Sequence, residues 1–282
     1  MTETTDATVT LTQFTDPMCT WCWGSEPIIR HLETVYGDQL ELRFVMGGLI
    51  EDFDEFYDAA NDISEPSEVA PHWREASEHH GMPVDTTIFD EDPAKSTYPA
   101  SIAYVAARQQ SRDKGHRYLR RLREAFATEV RNVNRRDEQL EIARSVGLDV
   151  PAFTTAVEDG SALEEFREDL EETRQSGVRA FPTYHVKGPD GERRVSGFQP
   201  FERLDAELRA IAPSLERAEL PQIREFIDRY DSVATQEVAE VYDLSYGETR
   251  QVLESLVDES DIEGEKRGNG YLWMSSSEGE SR

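Results

Sequence analysis

Cys19 and Cys22 are the only cysteines in this 282-residue chain, three positions apart in the stretch Asp16-Pro17-Met18-Cys19-Thr20-Trp21-Cys22-Trp23-Gly24. That spacing suits thiol–disulfide exchange. A thiol attacks as its thiolate, and a Cys placed where a helix begins has that anion stabilised by unpaired backbone N–H groups and the helix dipole. A second Cys one turn later can attack the mixed disulfide and release the product. Cys19 is therefore read as the nucleophile and Cys22 as the resolving thiol. Two other readings stay open: half of a zinc site, or an inert buried pair. Zinc takes four ligands; the sequence holds no second Cys pair, and His79-His80 is the one conceivable supplement. Neither Thr20 nor Trp21 carries positive charge, which points to a potential in the reducing or isomerase range rather than that of a strong oxidant. Asp16 is a candidate proton acceptor for Cys22, with loop capping as the alternative.

A second candidate lies about 160 residues further on, where Phe181-Pro182-Thr183 heads a strand-like run. A cis Phe181–Pro182 bond opposite the dithiol would expose neighbouring backbone for a client strand to pair with. Trp21 and Trp23 are read as lining the same groove, although aromatic residues in this position are as often core. His31, His72, His79, His80, His116 and His185 are read as surface or packing residues rather than catalysts.

The elements that must hold these residues follow from periodicity. Val9–Phe14 alternates as a strand, Glu26–Tyr36 has helical spacing with Pro27 in its first turn, and Leu40–Met46 alternates again. Together they make one βαβ unit with the dithiol at the carboxyl end of its first strand. From 51 to 160 the periodicity is helical. A further helix, Ala162–Gln175, precedes Phe181. A hairpin turning at Gly188-Pro189-Asp190-Gly191 and the amphipathic helix Phe201–Ile211 follow it. The expected organisation is an α/β core over 9–50 and 161–212, interrupted by a helical insertion over 51–160. A small C-terminal module follows over 217–275, with polar tails at 1–8 and 276–282. The module shows three short helices and then a hairpin turning at Gly268-Asn269-Gly270, the order of a winged helix.

Composition bounds the setting. There are 58 acidic residues against 30 basic ones, a net charge of −28, and only four of the basic residues are lysines. The excess is spread along the chain instead of forming one block, which reads as adaptation to a cytoplasm of very high salt, where screening shortens to about 3 Å at 1 M. Residues 1–8 carry neither a basic start nor an apolar run, and no segment approaches the roughly 20 apolar residues of a membrane span. The expectation is a cytoplasmic protein without membrane contact. In that compartment two closely spaced cysteines point to catalysis or metal binding.

Four stretches carry a resemblance. They are Asp16 to Gly24, Ser96-Thr97-Tyr98-Pro99-Ala100, Gly177-Val178-Arg179-Ala180-Phe181-Pro182-Thr183 and Gly197-Phe198-Gln199-Pro200, within residues 9–212. With them the chain resembles the DsbA family of the thioredoxin superfamily, especially its cytoplasmic FrnE-like branch. The resemblance implies a thioredoxin fold interrupted by a helical domain, with catalysis by the dithiol and substrate contact at a cis-proline. The implied partners are protein thiols or disulfides and a thioredoxin-like or small-thiol reductant, and no cofactor or metal is expected. Hydroxychromene-carboxylate isomerases and kappa glutathione transferases share the architecture and bind glutathione. They typically carry serine in the nucleophile region, so both cysteines here favour disulfide exchange over a glutathione-linked reaction. Another branch resembles adaptor proteins that hand a transcription factor to a protease, which makes a redox-responsive adaptor the main non-enzymatic reading. The C-terminal module is read first as a protein-docking or homodimer surface. DNA binding is less favoured, because residues from Arg217 onward hold 7 basic against 16 acidic side chains and Arg250 is the one cation in the would-be recognition helix.

Overall fold

Strand β1 (Val9–Thr15) lies beside β2 (Leu40–Met46), parallel, with Val9 opposite Leu40 and Thr15 opposite Met46. Parallel strands need a crossover, supplied here by α1 (Thr20–Gly24) and α2 (Glu26–Tyr36). Two helices stand where one was expected. Pro27 has no N–H to continue the ladder, and the Ser25 hydroxyl donates to the Cys22 carbonyl at 2.8 Å, so the chain bends at Ser25. The computed structural model describes residues 9–58, 63–259 and 261–276. The expected tail at 1–8 and all but the first residue of that at 276–282 lie outside the described residues.

The chain then leaves the sheet for a helical stretch: α3 (Val69–His80), α4 (Ile88–Glu91), α5 (Tyr98–Gln110), α6 (Arg112–Thr128), α7 (Arg136–Ser145), α8 (Val150–Glu158) and α9 (Ser161–Gln175). It returns as the antiparallel pair β3 (Thr183–Gly188) and β4 (Gly191–Ser196), followed by α10 (Phe201–Ile211). The sheet order is β2-β1-β3-β4, with Phe14 opposite Thr183. This is an α/β thioredoxin-like fold with a helical insertion. Leu11 and Phe14 of β1 and Tyr184 and Val186 of β3 are sealed from solvent, and Thr12, Gln13 and Thr15 of β1 are buried with them.

The C-terminal segment builds α11 (Ile223–Tyr230), β5 (Ser232–Ala234), α12 (Thr235–Tyr242), α13 (Tyr246–Asp258), β6 (Ile262–Arg267) and β7 (Gly270–Ser275). Its three-stranded sheet, β5-β7-β6, packs over its own cluster, including Phe226, Val238, Leu253 and Trp273. Three residues are too few to show alternation, so β5 was not legible in the sequence. The Ser245–Glu248 capping box starts α13. The hairpin tip leans on the rest of the chain: Asn269 accepts from the Val84 N–H at 2.8 Å and donates to Ser77 Oγ at 2.9 Å. A Cβ at Gly268 would stand 2.2 Å from the Val84 carbonyl oxygen, so only glycine allows this approach.

Candidate dithiol site

Where β1 runs into α1, Cys19 caps the helix: its Sγ accepts the Cys22 backbone N–H at 3.4 Å. Both cysteines are free thiols. Cys19 is 6% exposed while Cys22 is fully covered, so Cys19 is the sulfur nearer solvent. Across from it the Phe181–Pro182 bond is cis, and Cys19 Sγ lies 3.8 Å from the Phe181 carbonyl oxygen. Sequence-distant residues are thus brought together by the β1–β3 pairing.

The two sulfurs titrate as a pair. Burial opposes the Cys22 thiolate, but the hydrogen bond from Cys19, the Arg123 guanidinium and the Thr15 hydroxyl outweigh it and bring Cys22 below its usual value. The same sulfur–sulfur hydrogen bond, then burial, hold the second proton on Cys19 well above. The first proton therefore leaves easily and the second is retained. Arg123 is a 1% exposed residue of α6 whose guanidinium donates to Glu26 and to Thr15 Oγ1, leaving the Thr15 hydroxyl proton for Cys22. Nothing in the local spacing of the Cys motif announces this arginine, about a hundred residues away.

Asp16 is fully buried, and burial raises its carboxyl. It accepts from the Met18 N–H at 2.9 Å, the Leu49 N–H at 3.0 Å and the Thr97 hydroxyl at 2.7 Å. The side chain thereby ties the dithiol loop to the segment after β2 and to the start of α5. Trp21 is partly exposed and stands edge-on to His79 and His80, with ring centroids 5.5 and 5.9 Å away, and 5.7 Å from the ring of Phe198. A cleft of about 540 Å³ opens beside it, lined by Ile63, His72, Glu75 and His79 among others. Phe181 is half-buried, its ring laid over Gly47, where a Cβ would clash at 2.0 Å.

Two of the expected groove residues sit elsewhere. Trp23 is 1% exposed, its indole N–H donates to the Pro83 carbonyl at 2.8 Å, and Arg120 lies over its ring. Thr183 is fully buried and donates to the Ala180 carbonyl at 2.7 Å. Trp23 packs into the helical insertion and Thr183 lies within the sheet, so neither offers side-chain surface to solvent.

His80, read from the sequence as a surface or packing residue, packs against the dithiol helix. It is 4% exposed; its Nδ1 accepts the Met82 N–H at 3.1 Å, which places the ring proton on Nε2, 3.3 Å from Thr20 Oγ1 in the dithiol helix. Burial, and then His79, lower its pKa to about 4. It is a neutral ring that wedges the dithiol helix, and Gly24 leaves room for it, since a Cβ there would meet the ring at 2.4 Å.

The β6–β7 hairpin of the C-terminal module is engaged within the chain. Arg267 pairs with Glu265 and Glu129, and Arg250 pairs with Glu254 while lying over Tyr271. Two of the cations that phosphate contacts would use, Arg250 and Arg267, are thus held by carboxylates, while Lys266 is exposed.

A mixed four-stranded sheet presenting a Cys-x-x-Cys helix to a cis-proline loop is the thioredoxin arrangement, and the chain belongs to the thioredoxin family, whose model matches residues 13–205. Over most of its length it is also similar to the ClpXP adapter protein SpxH of Halalkalibacterium halodurans, 30% identical over 266 residues, covering 92% of this chain and 86% of the relative. Among solved structures it resembles a candidate protein disulfide isomerase of Nitrosomonas europaea, with TM-score 0.62 and 21% identity over 72% of this chain and 96% of that one. It also resembles the cytosolic disulfide reductase DsbM of Pseudomonas aeruginosa, with TM-score 0.58 and 23% identity over 71% and 99%. Among the described residues no helix is long and apolar enough to cross a membrane.

Proposed function

We propose that the protein is a thiol–disulfide oxidoreductase or isomerase acting on protein disulfides through Cys19 and Cys22. The observation that carries this reading is the free dithiol whose accessible sulfur faces the Phe181 carbonyl, where an extended client segment can pair with backbone. The hydrogen bond between the sulfurs passes the retained proton from Cys19 to Cys22, and the more exposed Cys19 thiolate then attacks a client disulfide, forming a mixed disulfide and releasing one client thiolate. Cys22, deprotonated next, attacks Cys19 and releases the second client thiol, leaving a Cys19–Cys22 disulfide and a client reduced by two electrons. Arg123 and Thr15 favour the sulfur anion, Asp16 is a candidate acceptor for the Cys22 proton, and Trp21, Phe181 and Phe198 frame the client groove. A thioredoxin-like protein or a small dithiol returns the electrons. Dithiothreitol-driven reduction of insulin tests the reading: the protein accelerates it, and Cys19→Ser abolishes the acceleration. Full activity in that variant refutes it.

A second reading, a redox-responsive adaptor, is favoured by one observation. The similarity to the SpxH adapter covers 92% of the chain, which leaves too few residues outside it to exclude the C-terminal module. On this reading the module and the groove together hold a protein partner, and affinity differs between dithiol and disulfide forms. The high acidic charge remains best read as adaptation to a salt-rich cytoplasm.

A further inference from the structure

Six charged side chains are buried between α2, α6 and α12. Arg30, Arg120 and Arg123 face Glu26, Glu124 and Glu237, and all six are nine-tenths covered or more. The pairs form a chain. Glu237 of α12, fully buried, bonds Arg30 at 2.9 Å and Arg120 at 2.6 Å. Arg120 reaches Glu124 at 3.3 Å and Glu26 at 3.6 Å. Glu26 bonds Arg123, and Arg123 bonds Thr15 beside Cys22. One end of this chain belongs to the C-terminal module and the other touches the dithiol. The second carboxylate oxygen of Glu237 also accepts the Ala234 N–H at 2.6 Å, which fixes α12 in the same position.

We propose that Glu237 is a positioning residue for the dithiol: by holding Arg120 and Arg30 it withholds positive charge from the sulfurs, so docking of the C-terminal module and reactivity of Cys19–Cys22 are linked. Within the buried six, three guanidinium groups match three carboxylates, and Glu124 is shared with Arg121, which Glu129 holds in turn. Removing Glu237 leaves one surplus positive charge in a medium that screens poorly. Arg120 then turns fully to Glu26, Glu26 loosens its hold on Arg123, and the uncompensated Arg123 favours the thiolate. The remaining groups around the sulfurs are Asp16, buried and raised, the Tyr184 phenol of β3, raised above its usual value, and the neutral His80. At the network's edge Arg121 pairs with Glu124 and Glu129, His116 is brought down to about 4 by burial, and Glu33, facing Arg30 and Arg229, is pushed up by burial to about 7. None of these replaces the lost carboxylate below pH 7. The linkage is reciprocal: whatever the module's release does to the thiolate, the thiolate does to release. A partner that lifts the module would sharpen the dithiol, and forming the Cys19–Cys22 disulfide would tighten the module.

This proposal rests on a dithiol that exchanges, as argued above, but its test reads the sulfurs directly and is independent of client turnover. On the full chain, the rate of iodoacetamide alkylation of Cys19 is followed by mass spectrometry from pH 5 to 9, and the dithiol–disulfide equilibrium is read in dithiothreitol redox buffers. Because Glu237 acts through intervening groups, its effect is smaller than the ~1–3 unit shift of a directly adjacent charge. Glu237→Gln is expected to lower the midpoint of thiolate formation by about half a unit, giving about threefold faster alkylation below it, and to move the equilibrium toward dithiol. Should Glu237→Gln release the module entirely, Arg30 and Arg120 are equally unopposed and the same downward shift is expected. The double variant Arg120→Met with Glu237→Gln restores the charge balance and is expected to return the profile to that of the parent, which a merely structural role for Glu237 would not do. A Glu237→Gln profile overlaying the parent overturns the proposal, as does a double variant as shifted as the single one. Insulin reduction that fails while these shifts appear would sink the enzymatic reading alone.

Discussion

Replacing His80 with phenylalanine tests whether a neutral, buried ring props the dithiol helix. At pH 7 the variant keeps the ring's volume but strips the Met82 N–H and the Thr20 hydroxyl of a partner. An unpaired buried donor costs about 1–3 kcal/mol, and the loss should fall in that range. The pH dependence is the sharper signature. The folded parent holds the imidazole neutral down to about 4, against an ordinary 6.5 when unfolded. Between those values the unfolded chain binds the extra proton, so parental stability falls as pH drops from about 6.5 to about 4 and is not reduced further below that by this group. The window spans about 2.5 units at 1.36 kcal/mol each, so roughly 3 kcal/mol for a largely covered group. The advantage of the parent over His80→Phe should therefore shrink by about 3 kcal/mol and vanish or reverse near pH 4. Urea midpoints of both proteins at pH 7, 6, 5 and 4, at constant salt, give this difference. The titration of the many carboxylates is common to both and cancels. A difference that stays constant across that range refutes the assignment of a buried neutral His80.

Further expectations concern packing at the same site and at the C-terminal hairpin. Gly24→Ala should destabilise by about 1–3 kcal/mol in thermal or chemical melts despite alanine's better helix propensity, because the added methyl meets the His80 ring at 2.4 Å; a neutral or stabilising effect would show that His80 is free to move. Asn269→Ala removes the bonds to Val84 and Ser77. It should cost about 1–3 kcal/mol and speed limited proteolysis between residues 213 and 222, whereas an unchanged cleavage rate would mean the hairpin tip contributes nothing to docking.

How much of this was legible beforehand can be judged residue by residue. Cys19, Cys22 and Pro182 stood out because their chemistry is local: two sulfurs one turn apart, and a ring that fixes its own backbone. The strands and long helices were legible for the same reason, since periods of two and 3.6 are written in neighbouring residues. The short elements were not, because β5 has three residues and α4 has four.

The sequence by itself determined the reagent, a pair of thiols at the start of a helix after a strand, and the order of elements that carries it. Tertiary structure alone decided the reagent's surroundings. It turned Trp23 inward, brought His80 from the insertion against Thr20, set Arg123 beside Cys22, and closed the ion chain to Glu237 across more than a hundred residues. Such choices depend on which faces meet when the sheet, the insertion and the C-terminal module bury their apolar surfaces together. A buried charge can be tolerated only where that meeting supplies its partner.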